Sequence, residues 1–344
     1  MRSIAVAALC GTLLLLVGSC VEDNKLTQKL LTSGIIEGAP EGRWDYVKVV
    51  FYSYINGNKS VLNYRMVDVT NKRDVNYNGM GPDGQWFTAD DNILSYSKYH
   101  LQVIKSVYKL SAQEFYDDPG PDGQWFTEDD RIYMKYLATY DAAGNRIQDY
   151  FLERGADMAI NTADDPKSYS DFSYDAGGNW LIGQHSYFDG ITTSYSCDKV
   201  TYDANGNATF IDSYVAGSDK KCFTGDDKQS GYSMYIYNSS NDATWDMYYT
   251  GSGVDTLWHS VDDTGAGYTE NTYDAQGFHS IQDYKLTGLD MKPNTVDDKL
   301  FTRTNYTNDS TGKHMSLVSN YPGADKQYGT ADDQIRLEAT YGNW

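Results

Sequence analysis

Residues 131–152 read Arg131-Ile-Tyr-Met-Lys-Tyr-Leu-Ala-Thr-Tyr140-Asp-Ala-Ala-Gly-Asn145-Arg-Ile-Gln-Asp-Tyr-Phe-Leu152. Two segments, Arg131–Thr139 and Asn145–Leu152, are rich in Tyr, Ile, Thr and Phe and have the length of ordinary strands. Between them stands Tyr-Asp-x-x-Gly-Asn. Its Asp, Asn and Gly supply the left-handed backbone and local side-chain bonds of a tight hairpin turn. The turn recurs as Tyr174-Asp-Ala-Gly-Gly-Asn179, Tyr202-Asp-Ala-Asn-Gly-Asn207 and Tyr273-Asp-Ala-Gln-Gly277, with weaker forms from Tyr237 and Tyr306. No 3.6-residue apolar period follows residue 40, so helix is expected to be scarce.

A second motif alternates with these turns. It is an eleven-residue loop, G-x-D-x₄-[T/S]-x-D-D, present seven times. Its aspartates are Asp83, Asp90 and Asp91; Asp122, Asp129 and Asp130; Asp157, Asp164 and Asp165; Asp219, Asp226 and Asp227; Asp255, Asp262 and Asp263; Asp290, Asp297 and Asp298; and Asp325, Asp332 and Asp333. Loop starts are spaced by 39, 35, 62, 36, 35 and 35 residues, the signature of a repeat architecture. The step of 62 is a double unit. There Tyr187-Phe188-Asp189-Gly190-Ile191 replaces the acidic loop with a two-residue hairpin signal. One unit is therefore strand, short turn, strand, acidic loop. Successive strands are expected to be antiparallel, with short turns on one edge and acidic loops on the other. Counting turns from Trp44 gives roughly sixteen or seventeen strands, in a single all-β domain over 44–344 that forms a spiralling or solenoid-like sheet. The stretch Asn92–Phe115 has no Gly-bearing turn, and its hairpin is placed near 100–106.

The charge agrees with a special role for these loops. Their motif aspartates are 21 of the 48 acidic residues, and removing those takes the formal charge from −20 to +1. Three clustered carboxylates repel one another unless a cation lies between them. No His or Cys recurs in the loops, which excludes the usual zinc and copper donor sets. A flexible loop of hard oxygens suits calcium, with up to seven ions expected, better than octahedral magnesium. Position 3 and at least one of the final pair are the expected ligands. The Thr or Ser at position 8 is expected to make a turn bond. The alternative is a metal-free turn held by side-chain-to-backbone bonds. The acidity excludes nucleic acid as a partner, since no basic stripe exists to meet phosphates.

Residues 1–20, MRSIAVAALCGTLLLLVGSC, have a basic start and a short apolar run, as a secretion signal does. Val17-Gly18-Ser19-Cys20 resembles the bacterial lipobox. The resemblance implies cleavage after residue 19 and lipidation of Cys20, with residues 20–43 a tether between membrane and folded body. Val21 rather than Asp after the Cys implies outer-membrane or cell-surface placement. Export permits a disulfide between Cys197 and Cys222, although one Cys is expected mid-strand and the other inside a loop, so two free thiols stay open as the alternative.

The Tyr-Asp turns with their flanking strands, over roughly residues 130–315, resemble the repeats of the bacterial RHS/YD family. That resemblance implies long spiralling sheets at cell surfaces or in toxin shells. This chain has a longer unit, an inserted acidic loop and no toxin or protease segment. The 31 Tyr are expected to form cross-strand ladders.

No GxSxG, HExxH, phosphate-cradling or dinucleotide motif is present, and the five His show no ligand spacing. Strands such as Tyr268-Thr-Glu-Asn-Thr-Tyr273 have no apolar face for lipid. The expected function is a non-catalytic, lipid-anchored surface binding or adhesive module with a glycan or protein ligand. The alternatives are a structural subunit self-assembling through uncapped terminal strands, and a carbohydrate-active enzyme.

Overall fold

The computed structural model describes residues 46–55, 58–68, 71–308, 310, 314–322, 328 and 333–342. The signal, the tether and Cys20 lie outside the described residues, as do Asp325 and Asp332 of the seventh loop. The described chain is all β. Its strands are β1 (Tyr46–Ile55), β2 (Asn58–Asp68), β3 (Arg73–Gly79), β4 (Asn92–Ile104), β5 (Val107–Asp118) and β6 (Arg131–Tyr140). They continue with β7 (Arg146–Glu153), β8 (Lys167–Tyr174), β9 (Trp180–Phe188), β10 (Thr193–Tyr202), β11 (Ala208–Val215) and β12 (Lys228–Tyr237). The last are β13 (Ala243–Tyr249), β14 (Gly267–Tyr273), β15 (His279–Leu286), β16 (Lys299–Asn308), β17 (His314–Tyr321) and β18 (Gln334–Gly342).

Each strand pairs antiparallel with the next, and β18 pairs back onto β1, from Tyr46↔Gly342 to Phe51↔Leu337. The 18 strands therefore form one ring-like, barrel-like sheet. The expected all-β sheet of tandem antiparallel hairpins is present; its closure, which the repeat pattern left open, pairs the two terminal strands that edge-to-edge assembly would have used. The strand count lies just above the expected sixteen or seventeen, and the hairpin placed near 100–106 is present without a glycine. The β2–β3 turn uses Lys72 and the β4–β5 turn uses Lys105 and Ser106, all at positive φ (52°, 50° and 66°). Acidic loops and Tyr-Asp turns do lie on opposite edges, as alternating antiparallel connections require. On the acidic edge β9 and β10 are joined by the tight turn at Asp189–Thr192, closed by the bond from Asp189 N to Thr192 O (3.2 Å).

The Tyr-Asp motif has a complete physical account. Asp141 accepts from Asn145 N (2.9 Å) and Asn145 Nδ2 (3.0 Å). The same pair of bonds joins Asp175 to Asn179 and Asp203 to Asn207. Gly144, Gly178, Gly206 and Gly277 carry the left-handed step at φ 91°, 86°, 83° and 83°. The Tyr reaches sideways. Tyr140, Tyr174, Tyr202, Tyr237 and Tyr273 donate their phenols to the carbonyls of Leu110, Arg146, Trp180, Ala208 and Ala243, at 2.6–3.0 Å. Each turn is thereby stapled to the preceding hairpin.

The register places a hydrogen-bonded polar band on one face of the sheet. It includes Gln113 with Ser97, Asp149 with Tyr136 and Arg146, and Ser170, His185, Asp198 and Ser213 in sequence. The opposite face also carries charged pairs, such as Lys135 with Glu114 (3.2 Å) and Lys285 with Glu270 (2.7 Å).

Asp246 sits in the polar band between Tyr235 and Thr269, its cross-strand neighbours on β12 and β14. Burial pushes its carboxyl up to about 7, against a smaller lowering by the Thr269 hydrogen bond. An unfolded Asp releases its proton near pH 4, whereas the folded one holds it to about 7. Over that window the folded state binds the extra proton, so stability falls as pH rises and the loss is complete above the upper limit. Asp246→Asn should therefore stabilise the fold at pH 8, by on the order of 3 kcal/mol, and change little at pH 4. Urea melts of both proteins at the two pH values test this; equal gains at both would show that charge is not the cause.

Candidate functional site

The acidic loops are built around the hydroxyl at position 8. Position 3 caps an Asx turn in all six described loops, accepting from the backbone N of position 5: Gln85, Gln124, Ala159, Lys221, Leu257 and Lys292, at 2.7–2.9 Å. Position 10 accepts the position 8 hydroxyl from Thr88, Thr127, Thr162, Thr224, Ser260 and Thr295, at 2.5–2.9 Å. It also closes the loop by accepting from backbone N–H groups near its start, including those of Asp83, Asp122 and Asp157. These bonds favour the ionised form. The hydroxyl leads in holding Asp90, Asp129, Asp164, Asp226 and Asp262 below the ordinary carboxylate range, with Asp262 at about 2. For Asp297 the amide of Leu289 leads.

Position 11 does something different. Asp91, Asp130, Asp165 and Asp263 are buried. Asp91, Asp130, Asp263 and Asp298 accept phenol protons from Tyr64, Tyr96, Tyr232 and Tyr268 at 2.5–2.9 Å. Each also accepts backbone amides of its own loop; Asp91, for example, takes those of Phe87 and Thr88. Burial works against ionisation of Asp91, but the Tyr64 phenol and the loop amides outweigh it and keep the carboxyl low. Burial and the carboxylate together push the phenols of Tyr64, Tyr96, Tyr232 and Tyr268 well above their usual range. Aromatic rings pack this junction. Tyr64 stacks on Tyr77 and Tyr96 on Tyr116, both at 4.4 Å, with Trp86 and Trp125 edge-on at 6.0 and 5.8 Å.

Three of the six described loops draw all three carboxylates closest together. In the groups Asp157/Asp164/Asp165, Asp219/Asp226/Asp227 and Asp290/Asp297/Asp298, one oxygen from each residue lies within 4.8 Å of the others. The hydroxyl shows why this matters. In five loops (Thr88, Thr162, Thr224, Ser260 and Thr295) it lies 3.4 Å from the position 3 oxygen and 3.0–3.5 Å from a position 11 oxygen, besides its short bond to position 10. A hydroxyl has one proton, and ionised carboxylates bring none. Three carboxylate oxygens thus converge on a point that has one proton to share.

The structure separates residues that the sequence treated alike. Position 3, position 10 and one oxygen of position 11 face the cluster, and the second position 11 oxygen is spent on loop amides, joined by a phenol at Asp91, Asp130, Asp263 and Asp298. The phenol donors were not identified from sequence, although the offset from Tyr to its aspartate, 27 to 34 residues, is nearly one repeat. Cys197 in β10 and Cys222 inside the fourth loop are joined by a disulfide, with Cα atoms 5.8 Å apart, which ties that loop to a strand two positions away.

No protein-family model matches the sequence, and no curated protein matches it. The fold is distantly similar to a porin-like protein from Bacteroides uniformis ATCC 8492, at TM-score 0.29 and 9% identity over 88% of this chain and 98% of that one. It is similar at the same level to TcdB2-TccC3, at TM-score 0.23 and 11% identity. That match covers 87% of this chain, which spans only 20% of the TcdB2-TccC3 chain.

Proposed function

We propose that the acidic loops are calcium sites and that the chain is an exported, lipid-anchored surface module that binds rather than catalyses. The convergence of three carboxylate oxygens on one hydroxyl carries this reading, since a divalent cation supplies the positive charge that a single proton cannot. The ligands assigned are the aspartates at positions 3 and 10 with one oxygen of position 11. Cys20 is the assigned anchor. Charged pairs on both faces of the sheet disfavour strands that cross lipid.

The Ser170–His185–Asp198 array, at 2.9 and 3.0 Å, has the residues of a nucleophilic triad. Its setting supports a structural role. Ser170 lies mid-strand, where the ladders on either side engage the backbone amides, so the sheet offers no spare pair of N–H groups to hold an oxyanion.

Counting bound ions tests the calcium reading. Equilibrium dialysis of the full chain in millimolar calcium should find up to seven ions, and replacing Asp90 and Asp91 with Ala should remove about one of them. A chain that retains no calcium at millimolar levels ends the proposal.

A further inference from the structure

The β4–β5 hairpin is longer than its neighbours. Its strands have 13 and 12 residues, against 10 and 8 in β6 and β7. Its tip lies against the adjacent Tyr-Asp turn. A Cβ on Gly144 would meet Ile104 Cγ2 and Lys109 Cε, each at 3.8 Å. Beneath the tip is an open cavity of about 630 Å³, lined among others by Lys105, Asp141, Asn145, Phe172, Tyr174 and Asp175. Its volume falls in the range of small-molecule sites. It lies at the edge away from the acidic loops, so metal in those loops has no part in it.

The lining narrows the chemistry. Phe172 and Tyr174 give an aromatic floor. Phe172 is held in place by Trp180 and His185, each near-perpendicular at 5.9 Å. The Arg146 guanidinium lies over one face of its ring at 5.0 Å, so a guest stacks on the opposite face. The Tyr174 phenol is fixed on the Arg146 carbonyl at 2.6 Å. The rim is polar and of mixed sign, with the exposed Lys105 facing two turn carboxylates. One lysine against two aspartates does not select an anion such as phosphate. A rim of carboxylate, amide and ammonium groups disfavours a fully apolar guest. A flat ring with apolar C–H faces and hydroxyls around its edge satisfies both floor and rim.

We propose that this cavity is a binding site for an uncharged pyranose, with Phe172 as the stacking platform and Lys105, Asn145 and the turn aspartates as partners for its hydroxyls. The assignment rests on the reading of the chain as a surface binding module and names its ligand class.

The test is saturation-transfer NMR on the full chain, with methyl glycosides of glucose, galactose and mannose, N-acetylglucosamine, cellobiose and maltose as probes. At least one probe should bind, and Phe172→Ala should weaken it about ten-fold. Ala176→Trp, at an exposed turn position lining the cavity, should block it without touching the floor. Unchanged circular dichroism and melting midpoints, measured in each variant, exclude misfolding, and Ala176→Trp alone decides the matter if Phe172→Ala fails that check. Binding that survives both substitutions overturns the cavity assignment and leaves the surface-module reading intact. If the folded chain binds none of the probes, the cavity proposal also falls, and the module reading then passes to protein ligands.

Discussion

Calcium should raise the thermal midpoint of the metal-free chain by on the order of 15 °C, magnesium should raise it far less, and chelator should reverse the gain. An ion that binds only the folded state stabilises it by RT ln(1 + [L]/Kd), about 1.4 kcal/mol per site at ten times Kd. Seven loops of one design multiply that term. With dissociation constants near those of other extracellular calcium modules, 10 mM calcium would add on the order of 10 kcal/mol in all. Ionisation does not limit the effect near neutral pH, because the loop bonds hold the position 10 carboxyls below the ordinary range. The gain should fade below about pH 4 as protons compete for the carboxylates. A midpoint indifferent to calcium, magnesium and chelator alike would mean that the loops are metal-free turns held by their internal bonds.

Much of this architecture could be read from residues. Gly144, Gly178 and Gly206 marked hairpins because only a left-handed step suits those positions. Strand polarity and the two-edged layout then followed from alternation alone. The ring was not legible. Whether β18 meets β1 depends on twist and stagger summed over all 18 strands, and no single residue encodes that sum. Lys105 and Ser106 left their turn placed only to within 100–106, because residues of their type seldom adopt positive φ and so carry no sharp turn signal. Within the acidic loops the three aspartates were legible as a group but not as individuals. Asp262 and Asp263 are neighbours of one type, yet the first closes an exposed loop and the second is buried against Tyr232. A tyrosine on a strand has the same sequence signature whether its ring packs or its hydroxyl donates, so the phenol staples at both edges became visible only with the register.

The second large effect separates those two neighbouring aspartates. Asp263→Ala, measured in excess chelator, should destabilise the chain by about 3–5 kcal/mol. Asp263 is 2% exposed and accepts from the Tyr232 phenol at 2.9 Å and the Ser260 amide at 3.1 Å. Alanine would leave the buried phenol and the half-buried amide unpaired, at about 1–3 kcal/mol each. Tyr232 anchors a cluster with Trp245, Met247, Tyr249 and Tyr268, so its displacement would spread. The site also covers a thin seam: β13 and β14 share only the pairs Trp245↔Glu270, Asp246↔Thr269 and Met247↔Tyr268, plus a bridge from Gly251 to Thr264 across the loop. Tyr232→Phe keeps the ring and should cost about 1–2 kcal/mol. The double variant should cost less than the sum of the singles, because each removes the same bond. Chelator makes the comparison with Asp262→Ala decisive. If crowded charge dominates the metal-free loop, removing either aspartate relieves it, and both variants are neutral or stabilised. If Asp263 is the buried hub that its bonds describe, its loss alone is costly while Asp262→Ala is tolerated.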